Sequence, residues 1–300
     1  MPALDVLIAE KAKSLGSLAV GFSRPARPLH FDRFKAWLAE GKNADMAWLA
    51  SNLEVREDPS RILPNCRTII SLAYPYSSLK PETKDGFSTA RYAAPAKEDY
   101  HARLRSLGRE LISLIQERHP GSKSRVCVDT APVMETSLAI AAGLGFIGKN
   151  NLLILPGFGS YHYLAEIFTT AAIPFDRPEP LANQCGLCSL CLDACPTGAL
   201  ESPYVLNAAR CLSYLTVEHR GVLEEDVSKK MGRCFLGCDR CQETCPFNTG
   251  GERSEVVLPS TDEFLNMEEG EFQARFGNTA FARPGLEKLK RNIQAVRKDR

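Results

Sequence analysis

The chain has 300 residues, of which 44% are hydrophobic and 24% charged, with a formal net charge of +1. These values are ordinary for a soluble globular protein of one large or two smaller domains, and they exclude a chain that is strongly basic throughout for nucleic-acid binding. Charged residues interrupt the apolar N-terminus and no apolar run is long enough to span a membrane, so we expect a cytoplasmic protein without membrane contact.

The first 180 residues predict a mixed α/β domain. In chain order, the periodicity and residue types indicate a helix at 4–15, a strand at 18–23, helices near 31–41 and 44–53, and a buried strand at 67–76. An amphipathic helix at 101–118, a strand at 124–129 and a helix at 134–143 follow. Trp48 is expected on the apolar face of the 44–53 helix, and Gly143 is expected to end the last helix.

Three prolines at 174, 178 and 180 interrupt the chain and predict a domain boundary. We therefore divide the chain into a catalytic domain at 1–180, a cysteine-rich domain at 181–250 and a helical tail at 251–300 that packs on the catalytic domain. The segment 283–300 is rich in lysine and arginine, including Arg300. Its pattern favours a solvated terminal helix over a nucleic-acid contact.

The cysteines carry the strongest signal in the sequence. "CGLCSLCLDACP" at 185–196 reads Cys-x2-Cys-x2-Cys-x3-Cys-Pro, the bacterial ferredoxin run, whose fourth cysteine binds a second iron–sulfur cluster. Without an export signal, metal binding in a reducing cytoplasm is the better interpretation of such spacing than disulfides. Zinc would suit a single Cys-x2-Cys pair but not this run.

A second, shorter run supplies partner cysteines. "GCDRCQETCP" contains Cys238, Cys241 and Cys245. If Cys245 crosses over, cluster one has the ligands Cys185, Cys188, Cys191 and Cys245. Cluster two then has Cys195, Cys238 and Cys241, and needs either Cys211 or Cys234; spacing does not decide between them. The remaining cysteine would be a small buried apolar residue.

The N-terminal domain offers two further candidates. Gly143, Gly145 and Gly148 match a dinucleotide fingerprint, but they follow a helix rather than a strand, so we interpret them as a loop that allows close approach or as a helix end with a turn. Asp129 lies at a predicted strand end. Alone it is an ordinary turn or helix-capping residue; a functional aspartate there would be a proton donor with a raised pKa.

Several long segments resemble the epoxyqueuosine reductase family, cobalamin- and iron–sulfur-dependent enzymes of tRNA modification. They are "MAWLASNLEVREDPSRILPNCRTIISLAYPY", "ARYAAPAKEDYH", "VDTAPVMETSLAIAAGLGFIGKNNLLILPGFGSYHYLAEI", "CLSYLTVEHRG" and "GCDRCQETCPFN". The resemblance implies an α+β fold: a nitroreductase-like α/β cobalamin-binding domain, then a ferredoxin-like domain with two 4Fe-4S clusters. It also implies a short form, without the helical-repeat domain of many members.

The resemblance assigns roles to individual residues. It implies that Cys211 completes cluster two, that Cys234 is structural, and that Asp129 donates a proton above the corrin. The residues that it places near cobalamin, besides Asp129, are Arg56, Tyr92, Asn150, Tyr161 and Ser213.

The resemblance also implies a reaction and its partners. Epoxyqueuosine at the tRNA wobble position is reduced to queuosine with cob(I)alamin, which two clusters supply with electrons from an external donor such as a flavodoxin or ferredoxin. The protein would act as a monomer, with 283–300 as a phosphate contact. Cobalamin is expected base-off, because "DYHARL" has Leu104 where the Asp-x-His-x-x-Gly signature needs glycine.

Two alternatives remain open at the level of the sequence. One is a corrinoid reductase of a small molecule, similar to a dehalogenase. The other is an iron–sulfur electron-transfer protein that binds no corrin.

Overall fold

The computed structural model describes residues 2–96, 98–251 and 253–298, and its strands are short except at the centre. In chain order they are β1 (Ala19–Ser23), β2 (Thr68–Pro75), β3 (Glu82–Thr83), β4 (Ser88–Thr89), β5 (Ser124–Cys127), β6 (Phe146–Ile147), β7 (Leu153–Ile154), β8 (His162–Thr169), β9 (Leu200–Ser202), β10 (Val205–Leu206), β11 (Cys234–Leu236) and β12 (Val257–Leu258).

Helices occur along the whole chain. They are α1 (Leu4–Ser14), α2 (Phe31–Ala39), α3 (Leu53–Glu57), α4 (Tyr100–Arg118), α5 (Glu135–Ala141), α6 (Leu190–Asp193), α7 (Leu212–Val217), α8 (Glu225–Met231), α9 (Arg240–Glu243), α10 (Thr261–Asn266), α11 (Glu269–Phe276) and α12 (Leu286–Arg297). Among the described residues, no helix is both long and apolar enough to cross a membrane.

A four-stranded antiparallel sheet in the order β1-β2-β8-β5 forms the centre of the N-terminal region. Helices α1 and α4 cover one face with buried leucine and isoleucine side chains. Helix α5 and the β6–β7 hairpin cover the other face. The mixed α/β prediction is therefore confirmed, while the finer nitroreductase-like assignment stays a prediction.

Helix α4 follows directly from its sequence pattern. Asp99 caps its first turn by accepting a hydrogen bond from the His101 N–H at 2.8 Å. Leu104, Leu111 and Ile115 lie fully buried on one stripe against the sheet. The cap places Tyr100 and His101 at the start of the helix, where their side chains reach Asp129.

The helix predicted at 44–53 is wrong. Only a 3-10 turn at Ala47–Leu49 forms there, and α3 begins at Leu53. Ala44 and Asn52 have φ angles of 51° and 56°, in the left-handed region that a right-handed helix excludes. Trp48, which was expected on an apolar face, is 49% exposed.

A second sheet joins distant parts of the chain. Its order is β11-β4-β3-β12, so strands from the N-terminal region lie between one strand of the cysteine-rich region and one of the tail. Tail helices α10 to α12 share an apolar core with α7 and β11. The tail thus contacts both regions, and the domain bounds 1–180, 181–250 and 251–300 remain predictions.

The basic terminal helix is packed rather than solvated, so that expectation is wrong. Leu289 and Ile293 of α12 are fully buried. Lys288 Nζ donates to the carbonyl oxygens of Val217 and Glu218, and Arg291 donates to those of Leu215, His219 and Gly221. These two cations satisfy the carbonyl end of α7 and are not free for phosphate. Arg300 lies outside the described residues.

We expect Gly21→Ala to destabilise the protein. A Cβ atom at Gly21 of β1 would lie 2.1 Å from the Ala142 carbonyl oxygen and 2.4 Å from Leu144 Cδ1. Such overpacking costs about 1–3 kcal/mol. The matched control is Gly270→Ala in α11, where nothing lies within 4 Å of the new methyl group. Thermal unfolding of both variants tests this, and an equal Tm for Gly21→Ala and wild type would contradict it.

Candidate functional site

Four cysteines, from two loops that are far apart in the sequence, line one small cavity. Its volume is about 110 Å³, and Cys185, Cys188, Cys191 and Cys245 all contribute to its wall. Burial raises the pKa of Cys191, and the thiols of Cys185, Cys188 and Cys245 raise it further. Cys245 of the second run therefore lies with three cysteines of the first run, as the predicted crossover requires.

A second group forms beside the first. Burial raises the pKa of Cys211, and the neighbouring thiol of Cys195 adds to the effect. Burial also raises the pKa of Cys241, with Cys238 and Cys211 as the next contributors. The structure thus brings Cys195, Cys211, Cys238 and Cys241 together.

Cys234 is placed differently. Its Sγ donates to the carbonyl oxygens of Leu236 and Gly237, both at 3.5 Å. Burial raises its pKa to about 12. A thiol that bonds its own strand end in this way has the features of a structural cysteine.

The thiols do not converge as they would around one ion. No three Cys, His, Asp or Glu side chains of the described residues are close enough to bind a single metal ion. A zinc ion would draw four sulfurs to about 2.3 Å from one point. Wider groups of four around a small cavity fit a multi-iron cluster better.

The segment 145–151 connects the cysteine loops to the central domain. Lys149 Nζ donates to the carbonyl oxygens of Gly186 and Cys188, both at 2.7 Å, and Asn150 Nδ2 donates to the Cys241 carbonyl at 3.3 Å. A Cβ at Gly145 would lie 2.2 Å from the Ile154 carbonyl oxygen, so this glycine allows the β6–β7 hairpin to close. The glycine motif is therefore accounted for by packing.

An apolar cavity of about 350 Å³ lies on the other side of this hairpin. Apolar side chains supply most of its exposed surface, and polar or charged side chains supply the rest. The apolar lining residues are Phe34, Trp37, Leu49, Val133, Met134, Ile147 and Leu206, and the polar ones are His30, Arg33, Arg56, Glu135, Thr136, Ser137 and Asn151. The Nε atom of Arg56 is buried without a hydrogen-bond partner in the described part of the chain. The Nη1 atom of Arg56 donates to the Val133 carbonyl oxygen at 3.4 Å, so the cation at the cavity wall is only partly satisfied by the protein.

Asp129 lies next to this cavity in a strained turn. Its φ is 53°, in the left-handed region, and its N–H donates to Glu135 Oε1 at 2.7 Å. The carboxyl group accepts from Tyr100 Oη at 3.0 Å and lies 3.1 Å from His101 Nε2. Its side chain is still 56% exposed, so it can reach a bound molecule.

The expected raised pKa of Asp129 is wrong in this structure. The hydrogen bond with His101 lowers the pKa of Asp129, against the opposite effect of burial, and Tyr100 lowers it further. Burial disfavours protonated His101, but hydrogen bonds to Asp129 and Asp99 outweigh this and raise its pKa. The shared proton is therefore held on the imidazole side of the pair.

Trp48 and Arg283 border the same region. The Arg283 guanidinium lies 5.7 Å from the Trp48 ring centroid, within cation–π range, and its Nε donates to Glu218 Oε1 at 2.8 Å. The positive charge of Arg283 also lowers the pKa of Asp129, after the larger effect of His101. An exposed aromatic ring and a cation thus lie near the aspartate.

The remaining residues proposed near the corrin gather at the cysteine loop 237–245. Tyr92 packs against Gly237 and pairs with Ser213. Tyr161 lies under the Arg91 guanidinium at 5.0 Å, and Asn150 bonds the loop as described above. They lie apart from Arg56, which lines the apolar cavity.

Sequence reasoning missed Tyr100, His101 and Glu135 as neighbours of Asp129. The polar start of α4, "DYH", was a usable signal for the first two, because a helix N-terminus often carries functional groups. No sequence pattern pointed to Glu135, since only the folded conformation of the turn at Asp129 brings its carboxylate into contact with the Asp129 N–H.

Two family models match parts of this chain. Residues 184–248 match a family model described as "4Fe-4S double cluster binding domain", and residues 56–130 match one described as "Epoxyqueuosine reductase QueG, DUF1730". The epoxyqueuosine reductase of Gloeobacter violaceus is 36% identical over 96% of this chain and 94% of its own.

Two solved structures are similar over nearly the whole chain. An epoxyqueuosine reductase solved with an epoxyqueuosine-modified tRNA stem loop is 31% identical, with a TM-score of 0.88, over 98% of this chain and 80% of that one. The Bacillus subtilis enzyme, solved with its catalytic aspartate loop swung out of the active site, is 30% identical, with a TM-score of 0.86 and the same coverage.

The mixed α/β fold and the double-cluster module beside a cavity define an iron–sulfur oxidoreductase with two 4Fe-4S clusters. More particularly, the chain belongs to the epoxyqueuosine reductase family.

We expect Cys211→Ser and Cys234→Ser to differ sharply in iron content. Loss of a ligand at Cys211 removes cluster two, so iron falls from about eight to about four atoms per chain. Cys234→Ser should retain about eight, because that thiol bonds only backbone carbonyls. Iron analysis and visible absorbance after anaerobic reconstitution measure this. Equal iron in the two variants would contradict the assignment of Cys211.

Proposed function

We propose that this chain reduces epoxyqueuosine to queuosine at the tRNA wobble position, with cobalamin and two 4Fe-4S clusters as cofactors. The observation that carries the proposal is the position of Asp129. It lies one hydrogen bond from the wall of an apolar cavity, and the hairpin that binds the cysteine loops lines the same cavity. The proposed electron source, the clusters, and the proposed proton source, Asp129, therefore both lie beside this cavity.

The cysteine groups assign the cluster ligands. Cluster one would be held by Cys185, Cys188, Cys191 and Cys245. Cluster two would be held by Cys195, Cys211, Cys238 and Cys241. The first group is supported by the common cavity, and the second by the mutual effects of its buried thiols.

The apolar cavity fits part of a base-off corrinoid. Phe34 and Trp37 offer flat apolar walls, and the Arg56 guanidinium at the same wall offers a positive charge for a polar group at the ring edge. Tyr92, Asn150, Tyr161 and Ser213 would contact it from the side of the cysteine loop. Bound there, cobalamin would supply low-valent cobalt chemistry and the clusters would supply single electrons.

The residues around Asp129 would hold and transfer a proton during the reaction. Conversion of the epoxide to the alkene consumes two electrons and two protons and releases one water. His101 holds a proton against the Asp129 carboxylate at Oδ2, and the Tyr100 hydroxyl donates a second hydrogen bond to the same oxygen. Asp129 can therefore pass a proton from His101 to the oxygen that develops negative charge as the epoxide opens.

We assign the recognition of tRNA in part to Trp48 and Arg283. Trp48 lies in a tight turn whose next residue, Leu49, lines the cavity, and its exposed ring packs against Arg283. Aromatic rings stack on single-stranded bases, and an adjacent arginine suits the phosphate backbone. The packed cations Lys288 and Arg291 are excluded from this role by their carbonyl bonds.

The electron donor would approach near cluster one. Leu187, between two cluster-one cysteines, is fully exposed, and Leu190 is half exposed. A small donor such as a flavodoxin or ferredoxin could pack on this apolar point close to the cluster. The remaining proposals are a cytoplasmic location and a monomeric state.

Asp129→Asn is expected to keep both clusters and bound cobalamin but to lose turnover by about 10²–10⁴-fold, the usual contribution of a general acid. The assay uses protein purified without oxygen, with reconstituted clusters and added cobalamin, and follows conversion of an epoxyqueuosine-modified stem loop by nucleoside analysis. Unchanged turnover would remove Asp129 from the mechanism. Wild-type protein that binds corrin but leaves the stem loop unconverted would contradict the proposed substrate.

Trp48→Ala is expected to weaken stem-loop binding about 5- to 150-fold, because one base stack contributes about 1–3 kcal/mol. Trp48→Phe should recover part of the affinity. The matched control is Val6→Ala on α1, another exposed apolar side chain. Fluorescence anisotropy with a labelled stem loop gives the Kd values. A Kd for Trp48→Ala equal to that of the control would show that the indole does not contact RNA.

A further inference from the structure

Two carboxyl groups, those of Glu135 and Glu166, lie next to the turn at Asp129, which is called the catalytic turn below. The proposed mechanism does not use this pair. Glu166 is on the central strand β8, directly opposite Ser71 on β2 and Cys127 on β5. It is completely buried, and no described group donates a hydrogen bond to either carboxyl oxygen. A lone ionised carboxylate in the middle of a sheet would cost far more than a hydrogen bond returns.

The nearest group to Glu166 is another acid. Burial raises the pKa of Glu166 well above its usual range, and the carboxylate of Glu135 raises it further. Burial also raises the pKa of Glu135, with the negative charge of Asp129 next. Two facing carboxyls in a dry site cannot both be ionised, so they share one proton. Glu166 is the protonated partner, because it is the deeper one.

Glu135 connects this pair to Asp129. Its Oε1 atom accepts the Asp129 N–H at 2.7 Å. That N–H belongs to a residue with φ of 53°, a left-handed conformation that is unfavourable for a non-glycine residue and persists only when neighbouring groups hold it. Glu135 is thus the side chain that fixes the backbone of the proposed proton donor.

We propose that Glu135 is a positioning residue for Asp129, and that it holds the catalytic turn in place through a carboxylate whose charge depends on the proton it shares with Glu166. This inference rests on the proposed role of Asp129. Support for a turn that needs holding comes from the Bacillus subtilis relative, whose catalytic aspartate loop was found swung out of its active site.

The hydrogen bond from the Asp129 N–H to the Glu135 carboxylate weakens as pH falls. A protonated Glu135 is a poorer acceptor than the carboxylate, so the turn is held above the raised pKa of Glu135 and released below it. The charged and titratable groups around the pair are Asp129 from the turn, His101 from α4, Arg56 from α3 and Cys127 from β5. The fixed cations are Arg56 at the cavity wall, and Arg105 and Arg125 near Cys127; Arg105 also donates to Thr130 Oγ1 at 3.1 Å.

Three variants separate positioning from simple stability. Glu135→Ala removes the acceptor, Glu135→Gln keeps an acceptor oxygen without the charge, and Glu166→Gln removes the shared proton but keeps the shape. The matched control is Glu117→Gln at the exposed end of α4. Each is studied as the protein loaded with clusters and cobalamin, with iron content and stem-loop Kd measured beside turnover.

Glu135→Ala should lower kcat about 10- to 100-fold, as expected for the loss of a hydrogen bond to a charged group, with stem-loop Kd unchanged. Glu135→Gln, a neutral acceptor like protonated Glu135, should give a kcat between those of Glu135→Ala and wild type at neutral pH, and should abolish the fall in kcat toward acid pH. Glu166→Gln should move that fall to lower pH, because the amide can donate to Glu135 and no longer competes for a negative charge.

Amide hydrogen exchange without substrate gives an independent readout. Exchange at Asp129 and Thr130 should quicken at least tenfold in Glu135→Ala and stay at the wild-type rate in the Glu117→Gln control. Unchanged exchange, or an acid limb of kcat that survives in Glu135→Gln, would overturn the inference. Since exchange needs no turnover, it decides this point even if wild-type protein fails to convert the stem loop, which would contradict only the proposed function.

Discussion

The arrangement of the site depends on how the two cysteine loops are fixed to the central domain. Cys245 of the second loop joins the cysteine group of the first loop, and Cys195 of the first loop joins the group that contains Cys238 and Cys241. The position of each loop therefore depends on that of the other. The Lys149 ammonium and the Asn150 amide then bind the backbone carbonyls of both loops. Because the same hairpin lines the apolar cavity, the distance from the cysteine groups to that cavity is set by a few hydrogen bonds rather than by a flexible linker.

Much of this could be predicted from local sequence. The central strands and α4 follow from hydrophobic periodicity, which the sheet and its covering helices satisfy. The crossing of Cys245 follows from the ferredoxin spacing. The choice of Cys211 over Cys234 came from the family resemblance. The structure places Cys211 beside Cys195 and bonds Cys234 to a backbone carbonyl, and the choice of ligand stays a prediction.

What the sequence could not predict depends on tertiary contacts. The helix at 44–53 fails because two residues adopt left-handed backbone, which no hydrophobic pattern reports. The basic tail was misjudged because the partners of Lys288 and Arg291 are carbonyls of α7, some 70 residues away. The buried acids Glu135 and Glu166 lie 31 positions apart in the printed sequence and meet only when α5 packs on β8.

The second sheet has a consequence for how the chain can be divided. Strand β11 of the cysteine-rich region pairs with β4, and its Phe235 is buried in a core completed by Phe264 and Phe281 of the tail. A fragment limited to 181–250 would lose Phe264 and Phe281, and would expose Phe235 and an unpaired strand edge to water, a surface prone to aggregation. The cluster-binding module is therefore a unit of sequence and of chemistry, whereas the unit of folding extends into both neighbouring regions.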